Sequence, residues 1–261
     1  MFDRFLLIGV VHLLPLPAAP RGSPGLQAVL DRALADAETL LVGGIRACIL
    51  ENLGDAPFRA TVDPHVVAAM AVLVDRVHAR FPELLLGVNV LRNDARAALA
   101  VAGASGARFM RVNVHVGATW TDQGLIQGEA HDTLRYRREL GLAPEGEQGV
   151  RILADVLVKH GVPAGQPDIA LVAKETAYRG GADGLIVTGT GTGAPTDLAL
   201  LQRVVEAVPG VPVLVGSGVT ARTLPEVRAL AHGAIVGTDL HRGGDLEAPL
   251  DLERVRRLVV A

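Results

Sequence analysis

Short strand-like runs and longer amphipathic stretches alternate eight times along this chain, and that alternation limits its fold more than any other feature. Runs of valine, isoleucine and leucine at 5–11, 47–50, 84–90, 109–114, 152–158, 184–187, 211–215 and 234–236 have strand composition. The stretches at 25–41, 64–80, 94–104, 131–140, 167–179, 197–208, 223–230 and 252–259 carry the helical period. Eight such units imply successive parallel βαβ crossovers. A doubly wound sheet uses the same units, but no Gly-x-Gly-x-x-Gly follows the first strand, and eight even units favour closure. The length of 261 residues suits one such barrel, and no linker or shift of composition divides it. Residues 1–261 therefore read as a single (β/α)8 TIM barrel.

Punctuation supports the units. Gly43-Gly44 and Gly180-Gly181 follow helical stretches, where a left-handed cap is needed. Asp63-Pro64 and Gln166-Pro167 place proline where a first helical turn tolerates it. The connection over about 115–130 is long for a barrel loop and is expected to cross the C-terminal mouth, turning at Asp122-Gln123-Gly124.

Composition removes several functions. A net charge of −3 offers no attraction to nucleic acid or to an anionic membrane surface. Aromatic residues make up 3%, too few for a base-stacking platform. The one cysteine, Cys48, rules out an internal disulfide framework and a cysteine zinc site, and its place inside a strand suits packing. Residues 5–14 are apolar, but Asp3 and Arg4 cancel before them and His12, Pro15 and Pro17 interrupt or end the run, so no exported leader is expected. No run approaches a transmembrane length, and the expected location is the cytoplasm.

The strand ends are unusually polar. In the fourth strand, Arg111, Asn113 and His115 share one face by period-two geometry, opposite the valines. In the fifth, Asp155 shares a face with Leu153, Leu157 and Lys159. Arg111 and Asp155 on adjacent strands are a natural pair, since buried charges need partners. The first strand delivers His12, the second Glu51, Asn52 and Asp55, the third Asn89, Arg92, Asn93 and Asp94, and the sixth Thr188. Function in a barrel sits at this end. Only two of the 25 basic residues are lysine, Lys159 and Lys174, and an amine can do chemistry that a guanidinium cannot. His65, His78, His131 and His232 fall on helices or their edges. His12, His115 and His160 fall at strand ends without strong metal-ligand spacing, so no metal site is assigned and a divalent cation is left open.

Glycine-rich loops follow the last three strands: residues 188–193, then Gly216, Ser217 and Gly218, then Gly237 and Thr238. Barrels often bind phosphate through the loops after strands seven and eight, where backbone amides approach the anion. Tight turns alone also favour small residues. None of these loops is a Walker loop, because no Gly-x-x-x-x-Gly-Lys occurs.

Several longer segments resemble the BtpA family, also called BtpA/SgcQ. They are residues 9–17 (Gly-Val-Val-His-Leu-Leu-Pro-Leu-Pro), 51–58 (Glu-Asn-Leu-Gly-Asp-Ala-Pro-Phe), 87–94 (Gly-Val-Asn-Val-Leu-Arg-Asn-Asp), 111–118, 121–126, 154–160, 175–177, 182–189 and 215–219, in that order along nearly the whole chain. The resemblance implies a (β/α)8 fold. Family members have been linked to photosystem I biogenesis in cyanobacteria, and others are labelled phosphoribosylanthranilate-isomerase-like or nucleoside triphosphatase. Here His12 stands at the strand end where that isomerase carries a cysteine, and the Walker lysine is missing.

The residues together predict an enzyme acting on a small phosphorylated sugar-like or heterocyclic metabolite, by acid–base isomerisation or bond cleavage. Glu51, Asp155 and Lys159 are the catalytic candidates. His12, Asn52, Asn89, Arg92, Arg111, Asn113, His115, Asp122 and Thr188 are expected to contact substrate, with Asp122 and Gln123 on a lid. Gly216, Ser217, Gly218, Gly237 and Thr238 are expected to hold phosphate. No cofactor is assigned, and a homo-oligomer is a base-rate expectation. The alternative is a non-catalytic assembly or stability factor built on an old barrel.

Overall fold

The computed structural model describes residues 1–2, 4–189 and 196–261. Part of the glycine loop after the sixth strand, residues 190–193, lies outside the described residues. Barrel strands β1 (Leu6–His12), β2 (Ala47–Glu51), β3 (Leu85–Asn89) and β4 (Phe109–Val112) alternate with helices α1 (Leu26–Gly43), α2 (Pro64–Arg80) and α3 (Ala95–Ser105). A hairpin of β5 (Ala118–Thr121) and β6 (Gly124–Gln127) then precedes α4 (Ala130–Glu139). The chain continues with β7 (Arg151–Val156), the short β8 (Val162–Pro163), α5 (Ile169–Lys174), β9 (Gly184–Val187) and α6 (Leu198–Ala207). It ends with β10 (Val213–Val215), α7 (Leu224–Leu230), β11 (Gly233–Val236) and α8 (Leu252–Val259). The closed parallel barrel has the order β1-β11-β10-β9-β7-β4-β3-β2, so the fold is a (β/α)8 barrel.

Alternation along each strand makes two cores. Inward residues Ile8, Val10, Ile49, Phe109, Leu153, Ile186, Leu214 and Ile235 fill the barrel. Gly87 on β3 makes room for the Phe109 ring, because a Cβ there would lie 2.1 Å from it. Outward residues such as Val11, Leu50, Val88 and Val112 meet the helices in a second, larger core. In α1, Val29, Ala33, Ala37 and Leu40 are buried along one face. Gly44 ends that helix in the left-handed region, with φ 101°. Gly43 lets α1 and α8 meet closely, completing the ring of helices.

Three local expectations are corrected. The fourth and fifth barrel strands end at Val112 and Val156, short of the expected 114 and 158. Leu157 then turns into the left-handed region at φ 57°, so period-two alternation does not carry on to Lys159. The helix expected over 167–179 starts at Ile169, with Asp168 capping the amides of Ala170 and Leu171, and Pro167 stands before it. Its last five residues, Glu175–Arg179, form a π-helical turn. The long connection is a hairpin that adds β8 to make a three-stranded sheet, with Asp122 and Gln123 at its turn. Trp120 pairs across this sheet with both Leu125 and Val162. All three side chains are exposed, Trp120 by 56%.

Candidate active site

Register brings the polar strand ends into one row. His12 lies beside Glu51, Glu51 beside Asn89, and Asn89 beside Arg111. Each sits one inward step above the apolar filling, so each side chain caps the barrel interior. Asn89 Nδ2 donates to Glu51 Oε2 at 2.5 Å. His12 Nε2 lies 4.0 Å from Glu51 Oε1. Asp155, one inward step above Leu153, accepts Nε and Nη2 of Arg111 at 2.9 Å each. Its Oδ2 also accepts Asn113 Nδ2 at 3.1 Å. The expected pair is thus a bidentate, charge-assisted one, with side chains only 3% and 0% exposed.

A cavity of about 170 Å³ opens above this row. His12, Glu51, Arg111 and Lys159 line one side, and Gly216, Ser217, Gly218, Gly237 and Thr238 line the other. The loops are built to close tolerances. A Cβ on Gly216 would lie 2.4 Å from Ile186, and one on Gly237 would lie 2.8 Å from His12 Cε1. Gly218 has φ +68°, which L side chains rarely adopt. Ser217 Oγ accepts the Gly189 amide at 2.6 Å and so ties the loop after β9 to the loop after β10.

Burial and charge tune these groups. Burial pushes the Glu51 carboxyl up, but His12 in its protonated form, Arg111 and Lys159, with the Asn89 hydrogen bond, outweigh it and hold it below the usual range. Burial lowers His12 to about 4, against the pull of Glu51, so its ring is neutral near pH 7. Burial, reinforced by Arg111, also lowers the Lys159 amine. Cys48 faces the helices, and burial raises its thiol to about 12, which leaves no thiolate.

Other expected contacts lie elsewhere. Asn52 is used internally: its Oδ1 accepts the Leu91 amide at 2.8 Å and its Nδ2 donates to Asp55 at 3.1 Å. His115 does not line this cavity either. Its Nε2 bonds the Gly180 carbonyl at 2.8 Å, clamping the hairpin base to the end of the π-helical turn. Arg92 donates to the Lys159 carbonyl at 2.7 Å and so fixes the backbone from which that amine projects. Asp122 is exposed at the hairpin turn and faces Arg92 and His160 electrostatically. Thr188 Oγ1 stands 3.5 Å from the Leu157 carbonyl, beside Lys159 in a neighbouring cavity. Asn113 and Asp155 form part of the wall of a second, mainly apolar cavity of about 230 Å³ under the hairpin.

Two groups were not singled out from sequence. Arg254 reaches the main cavity from α8, where its Nη1 donates to the Asp239 carbonyl at 3.1 Å. A helix in the outer ring gives no pattern that marks such a side chain. His241 is fully buried beside His12. Its place shortly after the eighth strand, on the functional face, was the available signal. Among the described residues no three His, Cys, Asp or Glu side chains gather as a metal site.

Solved structures with this architecture include phosphoribosyl anthranilate isomerase from Thermus thermophilus, with TM-score 0.58, 14% identity, and 98% of this chain and 97% of that chain covered. Another is (S)-3-O-geranylgeranylglyceryl phosphate synthase from Thermoplasma acidophilum, in complex with sn-glycerol-1-phosphate, with TM-score 0.57, 14% identity, and 99% and 93% coverage. At such identities they share the fold. A photosystem I biogenesis protein, BtpA, of Synechocystis is 46% identical over 256 residues, covering 98% of this chain and 87% of that one. The BtpA family pattern matches residues 4–261, and the chain belongs to the BtpA family.

Proposed function

We propose that this protein is an enzyme acting on a small phosphorylated metabolite, sugar-like or heterocyclic, by acid–base isomerisation or bond cleavage. The observation that carries the reading is one cavity with two dissimilar walls. Glycine-bearing loops after β10 and β11 form one wall, and Glu51, His12 and Lys159 form the other. Backbone amides of Gly216–Gly218 and Gly237–Thr238 take the phosphate, beside the Arg254 guanidinium, which is itself 3.7 Å from the Asp239 carboxylate at the same wall. The Glu51 carboxylate, oriented by Asn89, accepts a substrate proton, and Lys159 faces the negative charge that develops. Asp155 moves from catalyst to anchor, because its oxygens already hold three donor contacts and fix Arg111 beside Glu51. Arg92, Asp122, Asn113 and Thr188 surround the site without lining its main cavity. The volume favours a compact ligand, since pockets for drug-sized molecules run to about 300–1,000 Å³. The cytoplasm, where phosphorylated metabolites are retained, is the natural setting.

Thermal-shift measurements with inorganic phosphate and a panel of phosphorylated metabolites test the binding half, because a ligand of the folded state raises Tm by mass action. Ser217→Asp places a negative charge among the loop amides and should abolish the phosphate shift. An unchanged shift would remove phosphate from this cavity. Turnover of a stabilising metabolite, lost in Glu51→Gln, tests the catalytic half. The name of the Synechocystis relative favours a second reading, an assembly factor that uses the cavity for binding alone. That reading requires stabilising ligands without turnover.

A further inference from the structure

The His12 ring does not meet the cavity alone. Its Nδ1 is 2.8 Å from His241 Nε2, and His241 Nδ1 is 2.6 Å from the Ala248 carbonyl oxygen. The ring centroids are 5.0 Å apart with planes 23° apart. With the facing nitrogens so much closer than the centroids, the rings meet edge to edge and nearly in one plane. That is the geometry of an N–H···N hydrogen bond rather than a face stack.

This chain has a direction. A carbonyl oxygen only accepts, so His241 Nδ1 carries a hydrogen. In a neutral ring His241 Nε2 then has a lone pair, and the hydrogen shared between the rings belongs to His12 Nδ1. The remaining His12 nitrogen, Nε2, is left unprotonated, and it is the one facing Glu51. Burial lowers both rings, which keeps them neutral near pH 7. Gly237 packs against the same edge, with 3.2 Å between a Cβ placed there and His12 Nε2.

We propose that His241 is a positioning residue that holds His12 in its Nδ1–H form, so that His12 Nε2 faces the cavity as a proton acceptor beside Glu51. His12 thereby becomes a second base candidate rather than a hydrogen-bond donor to substrate. When Nε2 takes a proton from a ligand hydroxyl, the ligand oxygen keeps the electron pair of the broken O–H bond. The ring becomes an imidazolium, with Nδ1–H still on His241 and its charge facing the Glu51 carboxylate. Two acceptors 4.0 Å apart select a ligand group that brings its own hydrogens, such as the hydroxyls of a polyol phosphate. That last step rests on the phosphate reading of the cavity; the tautomer does not.

Long-range proton–nitrogen correlation spectra of the histidine-labelled full chain read the tautomer without any ligand. The His12 signals are assigned by their loss in His12→Gln. The expected wild-type spectrum shows His12 protonated at Nδ1 only. An Nε2–H or averaged ring would overturn the assignment. His241→Phe should shift His12 to Nε2–H or to a mixture, whereas His241→Gln, whose amide oxygen can still accept, should keep Nδ1–H. A His12 ring unchanged in His241→Phe would remove His241 from the role. For the ligand class, glycerol phosphate should raise Tm more than phosphoglycolate, which presents a carboxylate to two acceptors. An equal or larger shift with phosphoglycolate sinks the polyol preference while leaving the spectral result standing.

Discussion

Arg111 shows how far single residues can be read. Its place on the inward face follows from counting by twos along one strand, and its partner follows from the cost of an unpaired buried charge. Asp155→Ala should therefore destabilise the fold by about 3–5 kcal/mol, because the guanidinium stays buried without its anion. Replacing both residues by apolar ones should recover part of that loss, as read by urea unfolding. Lys159 was placed by the same counting for the wrong reason. The strand has ended before it, and the amine reaches the cavity from a left-handed turn that Arg92 braces. If its charge is what the site uses, Lys159→Arg should keep the Tm gain from phosphate and Lys159→Ala should lose much of it. Asn52 and His115 show strand-end polarity serving the fold's own hydrogen bonds. Both are polar residues at strand ends, yet their hydrogen bonds run to backbone and neighbouring groups, and spacing cannot tell those uses from a ligand contact.

Elements were legible where one period ran long enough to dominate. The helical stretch read over 64–80 coincides with α2, which opens on proline and buries Val66, Met70, Leu73 and Val77 on one face. The excursion was visible as a length anomaly and its turn as Asp-Gln-Gly, but its partner strand β8 is two residues long and has no pattern of its own. The π-helical turn was invisible for a related reason: its sequence is helical, and nothing in it marks the wider turn that the Gly180 amide closes by bonding back to the Glu175 carbonyl at 2.7 Å. Gly180 makes that turn fit under the hairpin. A Cβ there would lie 2.7 Å from both the Thr176 carbonyl oxygen and Val116 Cγ1. Gly180→Ala should cost about 1–3 kcal/mol through overpacking, measured by urea unfolding, and should loosen the His115 clamp. The wild-type stability in that variant would show that the hairpin base has slack.

For the whole molecule the alternation of eight units was enough to specify the barrel, whereas its acid sensitivity depends on which histidines are buried. His12, His115 and His241 all have folded pKa values lowered chiefly by burial, His12 from 6.5 to about 4. The unfolded chain therefore binds these protons at a higher pH than the folded one. Their contribution to stability is full above the ordinary histidine value of 6.5 and is lost as the pH falls below it, for His12 as the pH falls toward 4. Each proton sets a slope of at most about 1.4 kcal/mol per pH unit across that window. Unfolding free energies between pH 7.5 and 4.5 should fall accordingly, and His12→Gln should flatten the slope by up to one proton. A pH-independent stability over that range would mean that the rings are solvated. The hairpin has an optical consequence. Trp120 is the only tryptophan in the chain and lies on the excursion, more than half exposed. Ultraviolet excitation at the red edge of protein absorption therefore addresses one indole, on one hairpin, beside the cavity roofed by its base. Its emission colour serves as an intrinsic gauge of how wet that hairpin is, with no dye to attach and no second indole to subtract.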